Sequence, residues 1–228
     1  MDKKVSSSQI LKKLKSLANP KNVDGMVRFG ISSKNTLGIS MPVLRKMAKE
    51  IGKDHQLALK LWNSGFHEVR ILAGLIDETE KVTEIQIEKW AKDFDSWDVC
   101  DQVCSSLFDK TNFAWQKVIE FSKRKEEFVK RTGFTLMACL AVHDKKAQDK
   151  DFIKLLPIIK REATDERNFV RKAVNWALRQ IGKRNKNLNK EAIKIAREIL
   201  KIDNKTAKWI AADAIRELKS EQIQKRLS

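Results

Sequence analysis

Glycine and proline are scarce in this chain, eight and three among 228 residues. With so few breakers, and almost no alternation of β-branched residues, sheet-rich folds are excluded and long amphipathic helices remain. Cysteine is equally rare. Three thiols, an odd number, do not make a disulfide framework, so reduced cysteines are expected. Cys100 and Cys104 stand one helical turn apart, but His55, His67 and His143 show no ligand spacing with them or with each other. No metal site and no cofactor are therefore expected, and the thiols read as small buried side chains. Tyrosine is absent, leaving six tryptophans and ten phenylalanines as the aromatic complement. No hydrophobic run reaches the length of a membrane span, and the start Met1-Asp2-Lys3-Lys4-Val5-Ser6 lacks the apolar core of a secretion signal. A cytoplasmic protein is expected.

What the chain has in excess is positive charge. Against 30 acidic residues stand 47 lysines and arginines, a formal net charge of +17. Such an excess favours a polyanionic partner. Nucleic acid is the first choice, because neutralising phosphates releases counterions and rewards many dispersed cations; an anionic membrane surface is the weaker alternative. The amphipathic start Leu11-Lys12-Lys13-Leu14-Lys15 reads as a solvated basic helix.

The hydrophobic spacing predicts an all-α protein with helices over 6–18, 23–30, 41–52, 55–63, 67–78, 83–93, 96–109, 112–123, 126–142, 150–160, 167–183, 189–201, 205–219 and 221–227. Pro42 suits the first turn of a helix opened by Ser40, and Thr164 or Asp165 suits the cap of the helix beginning near Arg167. A weak repeat runs through these segments. Glu68-Val69-Arg70, Phe128-Val129-Lys130-Arg131, Phe169-Val170-Arg171-Lys172 and Ala207-Lys208-Trp209 each open a helix with an apolar residue beside a basic one. Their spacing matches the two-helix period of HEAT-like repeats, which would stack residues 1–228 into one curved solenoid with a basic concave groove wide enough for a duplex. Periodicity by itself leaves a helical bundle equally open.

Three helices carry candidate chemistry. In Ser96-Trp97-Asp98-Val99-Cys100-Asp101, helical geometry puts Asp101 roughly 40° from Trp97, at the edge of the stripe Val103, Cys104, Leu107 and Phe108. A carboxylate there needs a cationic neighbour or a functional reason. Asp98 points about 100° away from Trp97 and suits a helix-face or supporting role. In 167–183, Trp176 falls at the border of the apolar face beside Lys172 and Arg179, with Asn175 on the polar side. It either covers core or forms an aromatic wall against a sugar or base, flanked by phosphate-binding groups. Arg131 lies among the small residues Gly133, Thr135, Ala138 and Cys139, which would let a bulky partner approach; its other reading is an ion pair between repeats, Asp101 being one candidate partner. Trp62, Trp90, Trp115 and Trp209 read as core packing.

From about Met26 to Leu218 the sequence resembles the AlkD-type alkylpurine DNA glycosylases, a family of HEAT-like repeat proteins. The marks are Gly38-Ile39-Ser40-Met41-Pro42 followed by Arg45, the stretch from Leu61-Trp62 to Glu68, Trp97-Asp98-Val99-Cys100-Asp101, Arg131-Thr132, and Ala173-Val174-Asn175-Trp176-Ala177-Leu178-Arg179. The resemblance implies a monofunctional enzyme that excises N3- and N7-alkylated purines from double-stranded DNA as a monomer. It implies Asp101 as the catalytic carboxylate, Trp97 and Trp176 as indoles against the deoxyribose, and Arg131 as a support of the site. It further implies that Phe29, Arg45, Lys172 and Arg179 meet the DNA, and that the lesion is not gripped in a deep base pocket. Phe29 stands where the family has a tyrosine, Ser96 where it has an aromatic residue, and Cys139 where a basic residue occurs. Two other functions fit the composition: a non-catalytic repeat protein that binds branched or distorted DNA, and a scaffold for an acidic protein.

Overall fold

The computed structural model describes residues 5–227, and among them every regular element is a helix. No helix of the described residues is long and apolar enough to cross a membrane. Contacts divide the chain into two compact units, Met1–Asn112 and Phe113–Ser228. The first holds α1 (Ser7–Ser16), α2 (Pro20–Val27), α3 (Met41–Ile51), α4 (His55–Trp62), α5 (His67–Ile76), α6 (Glu84–Asp93) and α7 (Trp97–Ser106). The second holds α8 (Ala114–Phe121), α9 (Glu127–His143), α10 (Asp149–Ile153), α11 (Leu156–Arg161), α12 (Asn168–Gly182), α13 (Lys186–Leu200), α14 (Lys205–Leu218) and α15 (Glu221–Leu227).

Helix starts are set by capping chemistry. Ser6, Asn19, Asp54, Thr83, Asn185 and Asn204 each accept the backbone N–H three residues on, satisfying a donor the helix cannot pair itself. Ser40 opens α3 with Pro42 in its first turn, as the sequence predicts. Three predicted helices shift, among them α13, which begins at Lys186 rather than residue 189 because Asn185 caps it. α2 begins at Pro20 rather than residue 23, because Asn19 caps it, and the chain leaves the helix before Gly30, whose φ is +80°. The helix predicted over 150–160 is two helices. Pro157 has no N–H with which to continue α10 and sits instead in the first turn of α11. Before α12, Asp165 binds the amide and guanidinium of Arg167, at 3.2 and 2.9 Å, rather than capping deeper into the helix.

In the first unit α5 is the hub, packed against α3, α4 and α7. It is buried along most of its length, and Gly74 allows the closest approach, since a methyl there would lie 3.0 Å from Val103. Trp62 and Trp90, both buried, stack face to face at 3.8 Å, and the Trp62 indole N–H donates to Asp93 at 2.8 Å. These two indoles are core, as expected. In the second unit α12 takes the central place, against α9, α13 and α14. α9 is buried almost all round from Arg131 to Ala141, which its continuous apolar sequence permits. A methyl on Gly133 would sit 2.6 Å from the Ser122 amide. Gly133 thus serves the packing of α9 against the end of α8, and the other small residues near Arg131 are buried, which leaves no room there for an outside partner.

Trp115 is half-buried, tilted against Phe152 at 5.2 Å, with its N–H on Asp144 at 3.0 Å. Trp209 departs from the expectation of core packing. It is 40% exposed, because α14 buries Thr206, Ala207, Ile210, Ala211 and Ala214 and leaves the indole at the edge of that face, beneath the Arg171 guanidinium at 5.3 Å.

Polar ties between successive helix pairs reveal the repeat. In the first unit Trp62–Asp93 and His67–Asp98 each join residues 31 apart, and His67 to the Asn35 carbonyl spans 32. In the second unit Asn175 donates to the Ile210 carbonyl across 35 residues, and Arg131 to Phe169 and Lys160 to Glu198 each span 38.

Candidate functional site

Helix α7 carries the first predicted constellation. Val99, Cys100, Val103 and Cys104 are fully buried on its packed face, which turns Trp97, Asp98 and Asp101 away from the core. All three are half-buried. Asp101, one turn beyond Trp97, is therefore neither sealed in the interior nor freely solvated. The Trp97 indole N–H donates to the Phe29 carbonyl at 3.0 Å, which fixes the edge of the ring.

Asp98 has a buried partner. Its carboxylate meets His67 Nε2 at 2.8 Å and accepts a short bond from the Ser96 hydroxyl. Burial alone would push the Asp98 carboxyl up, but the His67 hydrogen bond and charge, with Ser96, hold it below the ordinary value. Burial likewise works against the charged His67 ring, and the bond and charge of Asp98 outweigh it, so His67 binds its proton above the ordinary value. The supporting role read for Asp98 is this pair. In the sequence His67 shows no metal-ligand spacing, and its partner Asp98, 31 residues on, leaves no local mark.

Segment 28–40, between α2 and α3, is irregular but firmly tied. Glu68, 1% exposed, accepts the amides of Leu37, Gly38 and Ile39 at 2.8, 2.6 and 3.2 Å. Gly38 is required there. Its φ is +74°, and a Cβ would lie 2.2 Å from the Asn19 carbonyl. The Asn22 side chain donates to the Gly38 carbonyl at 2.8 Å, and the His67 amide to Asn35 at 2.8 Å. On this clamped segment the Phe29 ring is 71% exposed. Nothing local in the sequence marks Glu68 as a buried carboxylate whose partners lie about thirty residues earlier. Arg45 projects from the exposed face of α3 and makes no ion pair among the described residues.

In the second unit α12 presents Trp176 half-buried, with no hydrogen bond to its indole N–H among the described residues. Lys172 is exposed. Arg179 is engaged: its guanidinium pairs closely with Glu217 and lies 3.7 Å from Asp213. Glu217 also takes Lys183 at 2.6 Å; burial works to raise its carboxyl, and the two cations hold it below the ordinary range. Asn175 does not share the open polar face with Lys172. It is buried against α14, where the Ile210 carbonyl at 3.2 Å satisfies its amide. Arg131, 5% exposed, donates to the Phe169 carbonyl at 2.6 Å and so holds the first turn of the helix that carries Trp176.

The model of the family described as DNA alkylation repair enzyme matches residues 10–218, nearly the whole chain. The chain belongs to the DNA alkylation repair enzyme family. No match to a curated protein was found. One solved structure is described as a new family of proteins related to the HEAT-like repeat DNA glycosylases, with affinity for branched DNA structures. It aligns at a TM-score of 0.82 over 98% of this chain and 96% of its own, at 18% identity. That likeness carries the fold, so this member of the DNA alkylation repair family is built of HEAT-like helical repeats rather than as a simple bundle. A designed armadillo repeat protein in complex with a (KR)4 peptide aligns at a TM-score of only 0.35 and 14% identity, too distant to bear on either fold or function.

Proposed function

We propose that this protein is a monofunctional DNA glycosylase that releases N3- and N7-alkylated purines from double-stranded DNA. The observation that carries the proposal is the pairing, one turn apart on α7, of a part-exposed indole, Trp97, with a part-exposed carboxylate, Asp101, in a member of the DNA alkylation repair family.

Alkylation at N3 or N7 makes the purine cationic, so the base is already an activated leaving group. When the bond from C1′ to the base breaks, its electron pair stays with the purine, which leaves neutral. The positive charge passes to the sugar, and water adds at C1′ with loss of a proton to solvent. What the protein has to supply is a fixed negative charge near C1′ and aromatic faces for the electron-poor sugar. Asp101 supplies the anion and aligns the water, and Trp97 supplies an indole face. In the second unit Trp176, whose indole N–H has no hydrogen bond among the described residues, offers an aromatic face of its own to DNA. Arg131 acts as a positioning residue, through the start of α12. Arg45 and Lys172, exposed and without ion pairs among the described residues, neutralise phosphates; Arg179 does so only in part, because Glu217 already shares its charge.

A second reading is favoured by the structural likeness to a protein described as having affinity for branched DNA: binding of branched or distorted DNA without chemistry. Incubation with methylated duplex DNA separates the two. The first reading expects free 7-methylguanine or 3-methyladenine in the supernatant, in amounts proportional to protein. The second expects tight, salt-sensitive binding to a four-way junction and no released base.

A further inference from the structure

In the second unit α13 buries Leu188, Asn189, Ala192, Ala196 and Ile199 and turns five cations outward: Lys186, Lys190, Lys194, Arg197 and, at its C-cap, Lys201. At 100° per residue they fall within about 80° of arc, a ridge about 22 Å long. All five are exposed, and none makes an ion pair among the described residues. The carboxylates nearby are engaged elsewhere or lie off the ridge. Asp149 takes the side chains of Asn185 and Asn187 at 2.7 Å each, Glu198 takes Lys160 at 2.8 Å, and Asp203 takes Lys208 at 2.7 Å. Glu191 lies about 60° outside the arc. The ridge works against the helix that carries it. Lys186, Lys190 and Lys194 stand four residues apart, where like charges repel, and Lys186 sits at the positive end of the helix dipole in a first turn with no acidic residue. A polyanion laid along the row removes that repulsion and releases its own counterions. The ridge also stands apart from Trp176. α9, α12 and α14 pack in succession in one layer, and α11 and α13 in the other, so DNA held against Trp176 and Lys172 of α12 leaves the α13 cations free.

We propose that the α13 ridge binds the phosphate backbone of a second duplex segment, so that one protein molecule holds two stretches of DNA; this rests on the reading that the protein binds DNA. A duplex running along the ridge presents about six phosphates on each strand over that length, enough to face every cation of the row. Contact with phosphates alone makes the second site indifferent to sequence and to damage. An anionic membrane is a poorer match, since a helix lying in a lipid surface needs its apolar face free, and that of α13 is buried.

The test is capture of a second duplex. A duplex fixed to beads is saturated with protein at low, fixed salt, and a labelled duplex of another sequence is added. Wild type is expected to retain the label well above beads that carry duplex alone. The variant combining Lys186→Gln, Lys190→Gln, Lys194→Gln and Lys201→Gln, which keeps good helix formers, should stay on the beads and hold about ten-fold less label or lower still, because four phosphate contacts are gone. A control with equal loss of charge on other surfaces, Lys12→Gln, Lys123→Gln, Lys145→Gln and Lys219→Gln, should keep it. Circular dichroism checks that the helices remain; if they do not, Lys190→Gln with Lys194→Gln is used, and a loss of about three-fold is expected. No label on the wild type, equal label on the ridge variant, or an equal loss in the control overturns the inference. So does capture of polyglutamate or phosphatidylserine vesicles but not of the duplex. If the protein still stays on the first duplex and methylated purines are released, the proposed function stands without it. Protein that does not stay on the first duplex overturns both.

Discussion

The two units use the same helix-pair repeat with different bonds between its copies. In the first, these ties span 29 to 32 residues and include acceptors deep inside: Glu68 under three amides, and Asp98 on His67. In the second, most ties recur at 35 to 38 residues and are made by cations and amides, with Arg131 on a carbonyl, Lys160 on Glu198 and Arg179 on Glu217. Shorter helices in the first unit make the shorter period, since α4 and α5 have 8 and 10 residues whereas α9 and α12 have 17 and 15. The lesson is electrostatic. A carboxylate buried under amides holds the irregular segment 28–40, whereas cations on the helices tie the regular elements of the second unit.

The sharpest way to break this contrast is to remove Glu68. Glu68→Ala leaves three buried amides without their acceptor and should cost about 4 kcal/mol, read by urea unfolding. Hydrogen exchange should speed first at Leu37, Gly38 and Ile39. A loss below about 1 kcal/mol would mean that the clamp is incidental. Next, Arg131→Met should cost about 2–3 kcal/mol, with faster exchange at the start of α12 and none at Leu37–Ile39. Spread of either effect evenly through both units would erase the distinction.

Smaller, and signed by pH, is the His67–Asp98 pair. The raised His67 pKa makes its contribution complete below its ordinary value of 6.5, and that contribution is lost as pH rises through the folded value. The lowered Asp98 pKa makes its contribution complete above 3.8, lost as pH falls through the folded value. Stability from the pair should thus be greatest between about pH 4 and 6.5 and decline on the alkaline side. His67→Gln should flatten that decline in thermal melts taken from about pH 6 upward; an unchanged slope would contradict the assignment. Smallest is Lys160→Ala. It breaks a solvent-exposed tie to Glu198 and should leave the unfolding midpoint within experimental scatter.

Much of the helical order was legible because it is written locally. The apolar spacing of α9, α12 and α14 and the Ser40–Pro42 start of α3 need no distant information. The Asn19–Pro20 start of α2 is equally local, although its apolar stripe begins only later in the helix. What could not be read depends on the neighbour one repeat away. Asn175 looks solvent-facing until α14 covers it, and Trp209 looks buried until its helix turns Ala207, Ile210, Ala211 and Ala214 inward and leaves the indole at the edge. His67 and Glu68 have partners about thirty residues earlier or later, at a period the first unit does not share with the second. The Asp101 and Trp97 pairing was visible from helical angle alone, because both lie on one helix.

The central claim is that the Asp101 charge accelerates loss of the damaged base. Single-turnover release of 7-methylguanine, with DNA affinity determined in the same buffer, compares wild type with Asp101→Asn, which keeps the shape and removes the charge. The account predicts a release rate at least about a hundred-fold lower at nearly unchanged affinity, the size expected when an electrostatic stabiliser of the transition state is lost. Equal release rates for the two proteins would contradict it.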